Sequence, residues 1–181
     1  EEHKAAREAV VLMDMTLMSK FIIQGRDACA LLSRLSCNQI DVEPGHIVYT
    51  QWTNEQGGFE GDLTVTRLEQ DKFLVICGEN APGHTEQHMR KHMRDDEFVT
   101  IYDATAGITQ INIHGPKSRD LMKKVSFTDM SNEAFPYLAA KHIDIGYDDV
   151  LAIRVTYIGE LGWELYVPAL HAVQVYDQLV E

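Results

Sequence analysis

The sequence predicts an α+β fold of mostly antiparallel sheets with flanking helices. Short alternating or apolar runs typical of strands recur along the chain, and segments of helical periodicity interrupt them. Short turns, several with glycine, join most of the strands. The regular strand–helix–strand rhythm of a nucleotide-binding sheet is missing, as are GxGxxG and a P-loop, so the chain itself encodes no flavin or nicotinamide site.

The predicted elements follow one another without a linker, a low-complexity tract or an internal repeat. Strands are predicted at 20–25, 47–52, 62–68, 73–77, 98–102, 108–115, 151–157 and 163–168. Helices are predicted at 27–35, 84–95 and 116–125. The last helix begins at Pro116, where a missing N–H does no harm. We expect residues 1–181 to form one compact unit or two subdomains.

Composition and charge exclude several classes of partner. The 181 residues are 45% hydrophobic and carry a net charge of −12, which argues against nucleic-acid binding. No apolar run approaches the ~18–20 residues needed to span a bilayer. Three cysteines without a CxxC suit a reducing compartment, so we expect a cytoplasmic protein, or a matrix protein in mitochondria. The chain has no initiating methionine and ends inside an amphipathic pattern, which indicates a fragment of a longer protein.

The first candidate site lies in the stretch TNEQGGFEGDLTVTRL, residues 53–68, where a glycine-rich loop becomes a strand. In an extended strand Asp62 shares one face with the two threonines that follow it, and the apolar residues between them share the other. That polar face is either solvent-exposed, since aspartate is common in turns, or lines a cavity. Glu60 also falls on this face in a simple extended strand.

The second candidate site is Glu160 in YIGELGWEL, residues 157–165, between Gly159 and Gly162 in a predicted five-residue hairpin turn. The glycines supply backbone freedom at positive φ. The carboxylate is either an exposed turn charge or an acceptor for a planar donor such as a heterocycle edge or an arginine. The neighbouring Trp163 is expected in the core.

A third pattern is His84, His88 and His92, spaced for one face of a helix. Such a face is either solvated or a partial zinc site, and no further ligand is obviously placed. We therefore predict no metal.

Four segments taken in order resemble the folate-binding aminomethyltransferase family. This family contains the T-protein of the glycine cleavage system and the C-terminal halves of sarcosine and dimethylglycine dehydrogenases. The segments are MDMTLMSKFIIQG (13–25), TNEQGGFEGDLTVTRL (53–68), ITQINIHGPKSRDLM (108–122) and IRVTYIGELGWELYVP (153–168). Two stretches are more similar to the dehydrogenase branch than to T-protein: DMSNEAFPYL (129–138) and the sequence GELG (159–162). The resemblance covers nearly the whole chain.

The resemblance implies the family's fold and site. The fold is a compact multi-domain disc around a central tetrahydrofolate channel, of which this chain would supply most of the first domains but not the C-terminal barrel. Asp62 falls on the catalytic aspartate, and Glu160 on the glutamate that binds the pterin edge. Glu60 matches no functional position and is expected to be a loop charge.

Further cofactor-binding positions follow from the same resemblance: Tyr157, Met18, Leu74 and Ile76. Where T-protein has a tyrosine and an asparagine, this chain has Leu74 and Gly78. Pterin contacts from this strand are therefore expected to be lost or to come from the backbone.

The implied function is one-carbon transfer to tetrahydrofolate, forming 5,10-methylenetetrahydrofolate, with Asp62 as proton acceptor. The donor would be an iminium, formaldehyde or an aminomethyl-lipoyl carrier. FAD would be bound only by a domain outside this chain, as in an N-methyl amine dehydrogenase. The alternative is a folate-binding or regulatory module without catalysis.

Overall fold

The computed structural model describes residues 1–78 and 82–181, and its α+β architecture confirms the predicted fold class. The strands of this described part are β1 (Val11–Asp14), β2 (Ser19–Gln24), β3 (His46–Thr53), β4 (Phe59–Glu69), β5 (Lys72–Cys77), β6 (Thr100–Asp103), β7 (Ile108–His114), β8 (Ala140–Ile145), β9 (Asp148–Ile153) and β10 (Gly162–Pro168). Its α-helices are α1 (Glu2–Glu8), α2 (Ala28–Leu35), α3 (Pro82–His92), α4 (Ser118–Val125) and α5 (Ala172–Val180). Within these ranges no helix is long and apolar enough to cross a membrane.

The chain folds into two compact units. The Asp62 unit comprises Leu17–Thr105, and the Glu160 unit comprises Glu1–Thr16 together with Ala106–Glu181. Each unit contains one five-stranded antiparallel sheet, with a hydrophobic cluster of its own.

The sheet of the Asp62 unit has the strand order β3-β4-β5-β2-β6. Helix α2 forms because Ala28, Leu31, Leu32 and Leu35 recur at helical spacing, and all four are buried. They join one cluster with alternate residues of β4, among them Leu63. One face of the sheet is therefore the core face.

The sheet of the Glu160 unit has the order β1-β7-β10-β9-β8, so the N-terminal strand β1 lies at its edge. Its core contains Met122 of α4, Val175 of α5 and Trp163 of β10, which is fully buried as expected. The indole of Trp163 lies under the guanidinium groups of Arg119 and Arg154.

The two units share one topology, which the absence of a sequence repeat concealed. In each, a strand, a helix, three strands and a helix follow in order, and the edge place taken by β6 in one unit is taken by β1 in the other. In each unit the strand before the first helix of this series is followed directly by a glycine of positive φ, Gly25 or Gly115. A Cβ there would lie 2.1 Å from Phe98 O or 2.4 Å from Ala9 O, so only glycine fits.

Several predicted boundaries were wrong. The predicted strand 151–157 is β9, which starts earlier and ends at Ile153; it pairs with β10 as expected. The predicted helix 84–95 is α3, the helix predicted from Pro116 begins at Ser118, and the strand 98–102 is Thr100–Asp103. Helix α1 and strands β1 and β8 were missed. Helix α1 buries no residue, so it gives no amphipathic signal.

Candidate functional site

Asp62 lies on β4, opposite Gln51 of β3. Gln51 Nε2 donates a hydrogen bond of 3.1 Å to Asp62 Oδ1. Hydrogen bonding to Asp62 raises the pKa of the Tyr49 phenol. The aspartate remains exposed, so its carboxylate is held by neighbours yet accessible to a ligand. Sequence reasoning missed Tyr49 and Gln51, although strand alternation places both on one face of β3.

The sheet register brings predicted residues together on the face opposite the core. Thr64 pairs with Ile76, and Thr66 pairs with Leu74. Because paired residues point to the same side of a sheet, Leu74 and Ile76 lie on the face of Asp62. Both are buried, so they present an apolar wall beside a polar strand.

Two hydroxyl groups on this face lack partners. Thr64 Oγ1 and Thr66 Oγ1 are buried and have no hydrogen-bond partner among the described residues. An unsatisfied buried hydroxyl costs about 1–3 kcal/mol, so such groups commonly bind water or a ligand. A side chain at Gly78 would meet no atom within 4 Å. This face thus combines an exposed carboxylate with two buried hydroxyl groups and two buried apolar side chains.

Met18 directly precedes β2 and is partly buried. Its neighbour Ser19 pairs with Cys77, which pairs in turn with Leu63 beside Asp62. Met18 therefore lies at the same end of the sheet as Asp62, two strands away from β4. Cys77 is buried, and burial raises the pKa of its thiol, in keeping with inert packing.

Glu60 is separated from Asp62 by a β-bulge. Trp52 pairs with Gly61 and Thr53 with Phe59, so Glu60 is the extra residue on its strand. Its carboxylate accepts hydrogen bonds from Asn54 (2.9 Å), which lowers its pKa most, and from His84 (2.7 Å). The predictions of a simple extended strand and of a loop charge were both wrong for Glu60, which lies at a bulge within β4.

Glu160 lies in the segment 154–161 between β9 and β10, a loop longer than the predicted turn. Arg7 Nη1 of α1 donates to Glu160 Oε1 at 2.6 Å. The Glu160 side chain is 22% exposed. A heterocycle edge or an arginine was predicted as the planar donor to this carboxylate, and the structure contains an arginine. Arg7 contacts only Oε1, so Oε2 has no assigned partner among the described residues.

The two glycines around Glu160 differ in role. Gly159 has φ of +83°, as predicted, but Gly162 does not have positive φ. Gly162 is needed because a Cβ would lie 2.3 Å from His114 Cδ2. Tyr157 precedes Glu160 in the same loop, and its side chain is 61% exposed.

The three histidines of α3 line a cleft of about 730 Å³ in the Asp62 unit. His84 bonds to Glu60, and His92 Nδ1 contacts the His88 carbonyl at 2.8 Å. His88 packs against Trp52. Among the described residues, no group of three or more His, Cys, Asp or Glu could hold a metal ion.

Three comparisons relate the chain to known proteins. A family model described as GCVT N-terminal domain matches residues 1–181. The 4-methylaminobutanoate oxidase (formaldehyde-forming) of Paenarthrobacter nicotinovorans is 39% identical over 100% of this chain and 22% of its own length. Two Mus musculus proteins are each 34% identical. The pyruvate dehydrogenase phosphatase regulatory subunit, mitochondrial, matches 99% of this chain and 21% of its own length. Sarcosine dehydrogenase, mitochondrial, matches 97% of this chain and 21% of its own length.

The chain thus spans about a fifth of the length of these relatives. Among solved structures, aminomethyltransferase T of the glycine cleavage system from Bartonella henselae superposes with a TM-score of 0.85 at 20% identity. The superposition covers 99% of this chain and 47% of that protein. At this identity the match establishes the fold.

Proposed function

The chain belongs to the GCVT N-terminal domain family, as its sequence motifs indicated, and we propose that it is the folate-binding part of an enzyme that transfers a one-carbon unit to tetrahydrofolate. The proposal is supported by the face of the Asp62 unit on which the exposed Asp62 carboxylate shares the sheet with Leu74, Ile76 and two threonine hydroxyls that have no partner among the described residues. The product would be 5,10-methylenetetrahydrofolate. Tetrahydrofolate is the substrate that supplies the nucleophilic nitrogen.

Asp62 would act as the proton acceptor. A weakly basic arylamine-type nitrogen must lose a proton as it bonds to carbon, and a positioned carboxylate can take that proton or stabilise the developing positive charge. The hydrogen bond from Gln51 fixes Oδ1 and leaves the exposed carboxylate able to serve as base. Tyr49 would supply an exchangeable proton next to it.

Glu160 would bind the amidine-like edge of the pterin ring. A carboxylate oxygen left open by the one-point contact with Arg7 can accept from such an edge, which orients the ring before reaction. In the Asp62 unit Leu74, Ile76 and Met18 would contact tetrahydrofolate, and in the Glu160 unit Tyr157 would do so.

The whole parent protein would be a flavin-dependent N-methyl amine dehydrogenase or a T-protein-like transferase. In the first case FAD would be held by a domain outside this chain. The donor would be an iminium or formaldehyde, which one relative is named for forming, or an aminomethyl-lipoyl carrier in the second case. We propose a cytoplasmic location, or the mitochondrial matrix in a eukaryote; the names of two relatives include the word mitochondrial.

A folate-binding regulatory module without catalysis is the second candidate. It is supported by the 34% identity to a phosphatase regulatory subunit. Under this reading tetrahydrofolate would bind but no one-carbon transfer would follow.

Calorimetric titration of the full-length parent and of residues 1–181 with tetrahydrofolate, combined with a transfer assay, tests both candidates. We expect the parent to bind and to form 5,10-methylenetetrahydrofolate faster than the spontaneous reaction. Binding without transfer would favour the regulatory module, and a parent that does not bind tetrahydrofolate would contradict both.

A further inference from the structure

The loop that carries Glu160 is long and must be anchored to hold a carboxylate in one place. The Asp62 unit joins β4 to β5 through residues 70–71 alone, whereas the Glu160 unit joins β9 to β10 through 154–161. Each ordered backbone residue costs about 1–2 kcal/mol of conformational entropy. Contacts from outside the loop are therefore needed to fix it.

The end of the loop is attached to the turn after β7. Leu161 O accepts hydrogen bonds from Gly115 N at 2.8 Å and from Ser118 Oγ at 2.9 Å. These two bonds fix the point where the loop enters β10.

At the start of the loop, backbone hydrogen bonds to Leu138 and Ala139 hold Arg154. The next contact is made by the side chain of His114. This residue ends β7 and is fully buried. Its Nε2 atom lies 3.2 Å from Val155 O and 3.3 Å from Tyr157 N. One ring nitrogen thus faces both an acceptor and a donor of the loop backbone.

The imidazole is confined, and its surroundings disfavour a positive charge. Its Cδ2 atom lies so close to Gly162 that a Cβ there would be 2.3 Å away. Burial lowers the pKa of His114. Its Nδ1 atom is buried and has no hydrogen-bond partner in the described ranges, so protonation would leave a buried donor unpaired.

The Asp62 unit provides an internal control for this residue. Gln24 holds the equivalent place, as the last residue before the glycine, and it is exposed. Its unit has no long loop after β4 to hold. A buried side chain therefore occurs at this place only in the unit with the long loop.

We propose that His114 is a positioning residue, which fixes the 154–161 loop and so orients Glu160 for ligand binding. The identity of that ligand, tetrahydrofolate, rests on the proposed function. Arg7 holds the carboxylate itself, and His114 holds the backbone from which it projects.

The test compares three variants of the full-length parent by calorimetry with tetrahydrofolate. His114→Phe keeps a ring but removes both nitrogens, and should weaken binding about 10-fold, the value of about one hydrogen bond. His114→Gln retains a donor and an acceptor and should bind within about threefold of the parent. His142→Phe, at an exposed histidine of β8, is the matched control and should bind normally.

Two further readouts separate positioning from general damage. In a Glu160→Gln background, His114→Phe should have little further effect on binding, because both changes act through one group. Amide hydrogen exchange at Tyr157 should accelerate in His114→Phe while that of β10 stays unchanged.

Unchanged Tyr157 exchange, or an undiminished binding loss in the Glu160→Gln background, would overturn the role of His114. A parent that binds no tetrahydrofolate would instead contradict the proposed function. The exchange measurement still decides the role of His114 in that event.

Discussion

The two units have the same strand order but carry their candidate acids at different places in it. Asp62 lies on β4, whereas Glu160 lies in the loop between β9 and β10. In the Asp62 unit the five-residue loop 54–58 separates β3 from β4, whereas Gly146 and Tyr147 alone join the corresponding strands β8 and β9. The Glu160 unit has its long connection one step later, at 154–161. Glu160 thus lies in the long connection of its unit, and Asp62 lies on the strand that follows the long connection of the other, so both are near places where the duplicated topology differs.

Equivalent positions of the two sheets also differ in polarity. The register places Glu164 and Tyr166 of β10 where β5 has Leu74 and Ile76. Tyr166 Oη donates to Glu164 Oε2 at 2.6 Å, and burial raises the pKa of Tyr166 well above its usual range. One unit thus presents an apolar wall where the other has a buried polar pair.

The largest expected effect is on stability, at the glycine that ends the Glu160 loop. Gly162→Ala would place a Cβ 2.3 Å from both Ile113 O and His114 Cδ2, and backbone atoms cannot yield as a flexible side chain does. We expect a loss of about 1–3 kcal/mol in the free energy of unfolding, measured by urea titration.

Lys72 is the matched control for this prediction, because it holds the equivalent position at the start of β5. Lys72→Ala removes only an exposed pair with Glu69 at 3.1 Å and should change stability by less than about 0.5 kcal/mol. Equal effects of the two substitutions would show that the close approach at Gly162 does not distinguish the units.

An intermediate effect is expected at an ion pair of the Asp62 unit. Arg34 of α2 bonds both carboxylate oxygens of Glu97, at 2.5 and 2.7 Å, and this lowers the pKa of Glu97 to about 2. Because the folded pKa lies below the unfolded value, the stabilisation is complete above about pH 4.5 and is lost as pH falls towards 2.

Glu97→Gln should therefore cost about 1 kcal/mol at pH 7, after allowance for solvent screening, and nothing near pH 2. The free energy of unfolding as a function of pH measures this. Lys124 is the control, because it is the seventh residue of α4, as Arg34 is of α2, and it is exposed. Lys124→Ala should have little effect on stability at either pH. A pH-independent loss in Glu97→Gln would contradict the assignment.

The smallest effect is expected at Arg7, which pairs with Glu160 at 2.6 Å but is itself 48% exposed. Arg7→Gln should weaken tetrahydrofolate binding about two- to fivefold, because exposed ion pairs contribute about 0.2–1 kcal/mol. Lys4→Gln, in the exposed pair with Glu8 on the same helix, is the control. Tighter binding in Arg7→Gln would mean that the arginine competes with the ligand.

The sequence predicted the fold class, and it predicted strands well where the apolar signal was strong, as in the continuous apolar run of β5. It missed β8, which joins β9 through a two-residue turn, and it missed the duplicated topology because that depends on sheet pairing rather than on residue identity. It placed Asp62 on a strand and Glu160 in a loop correctly. The sequence could not show that Gln51 contacts Asp62, or that Arg7 and His114 contact Glu160 and its loop. These residues meet only through pairing between segments distant in the chain.

The most direct test of the central claim, that Asp62 sets the rate of one-carbon transfer, is single-turnover transfer by Asp62→Asn at saturating tetrahydrofolate. Asp149, at the equivalent position of β9, provides the control Asp149→Asn. We predict that Asp62→Asn slows transfer about 100-fold or more while the dissociation constant stays within about threefold, and that Asp149→Asn transfers at the parental rate. Transfer by Asp62→Asn at the parental rate would contradict the account.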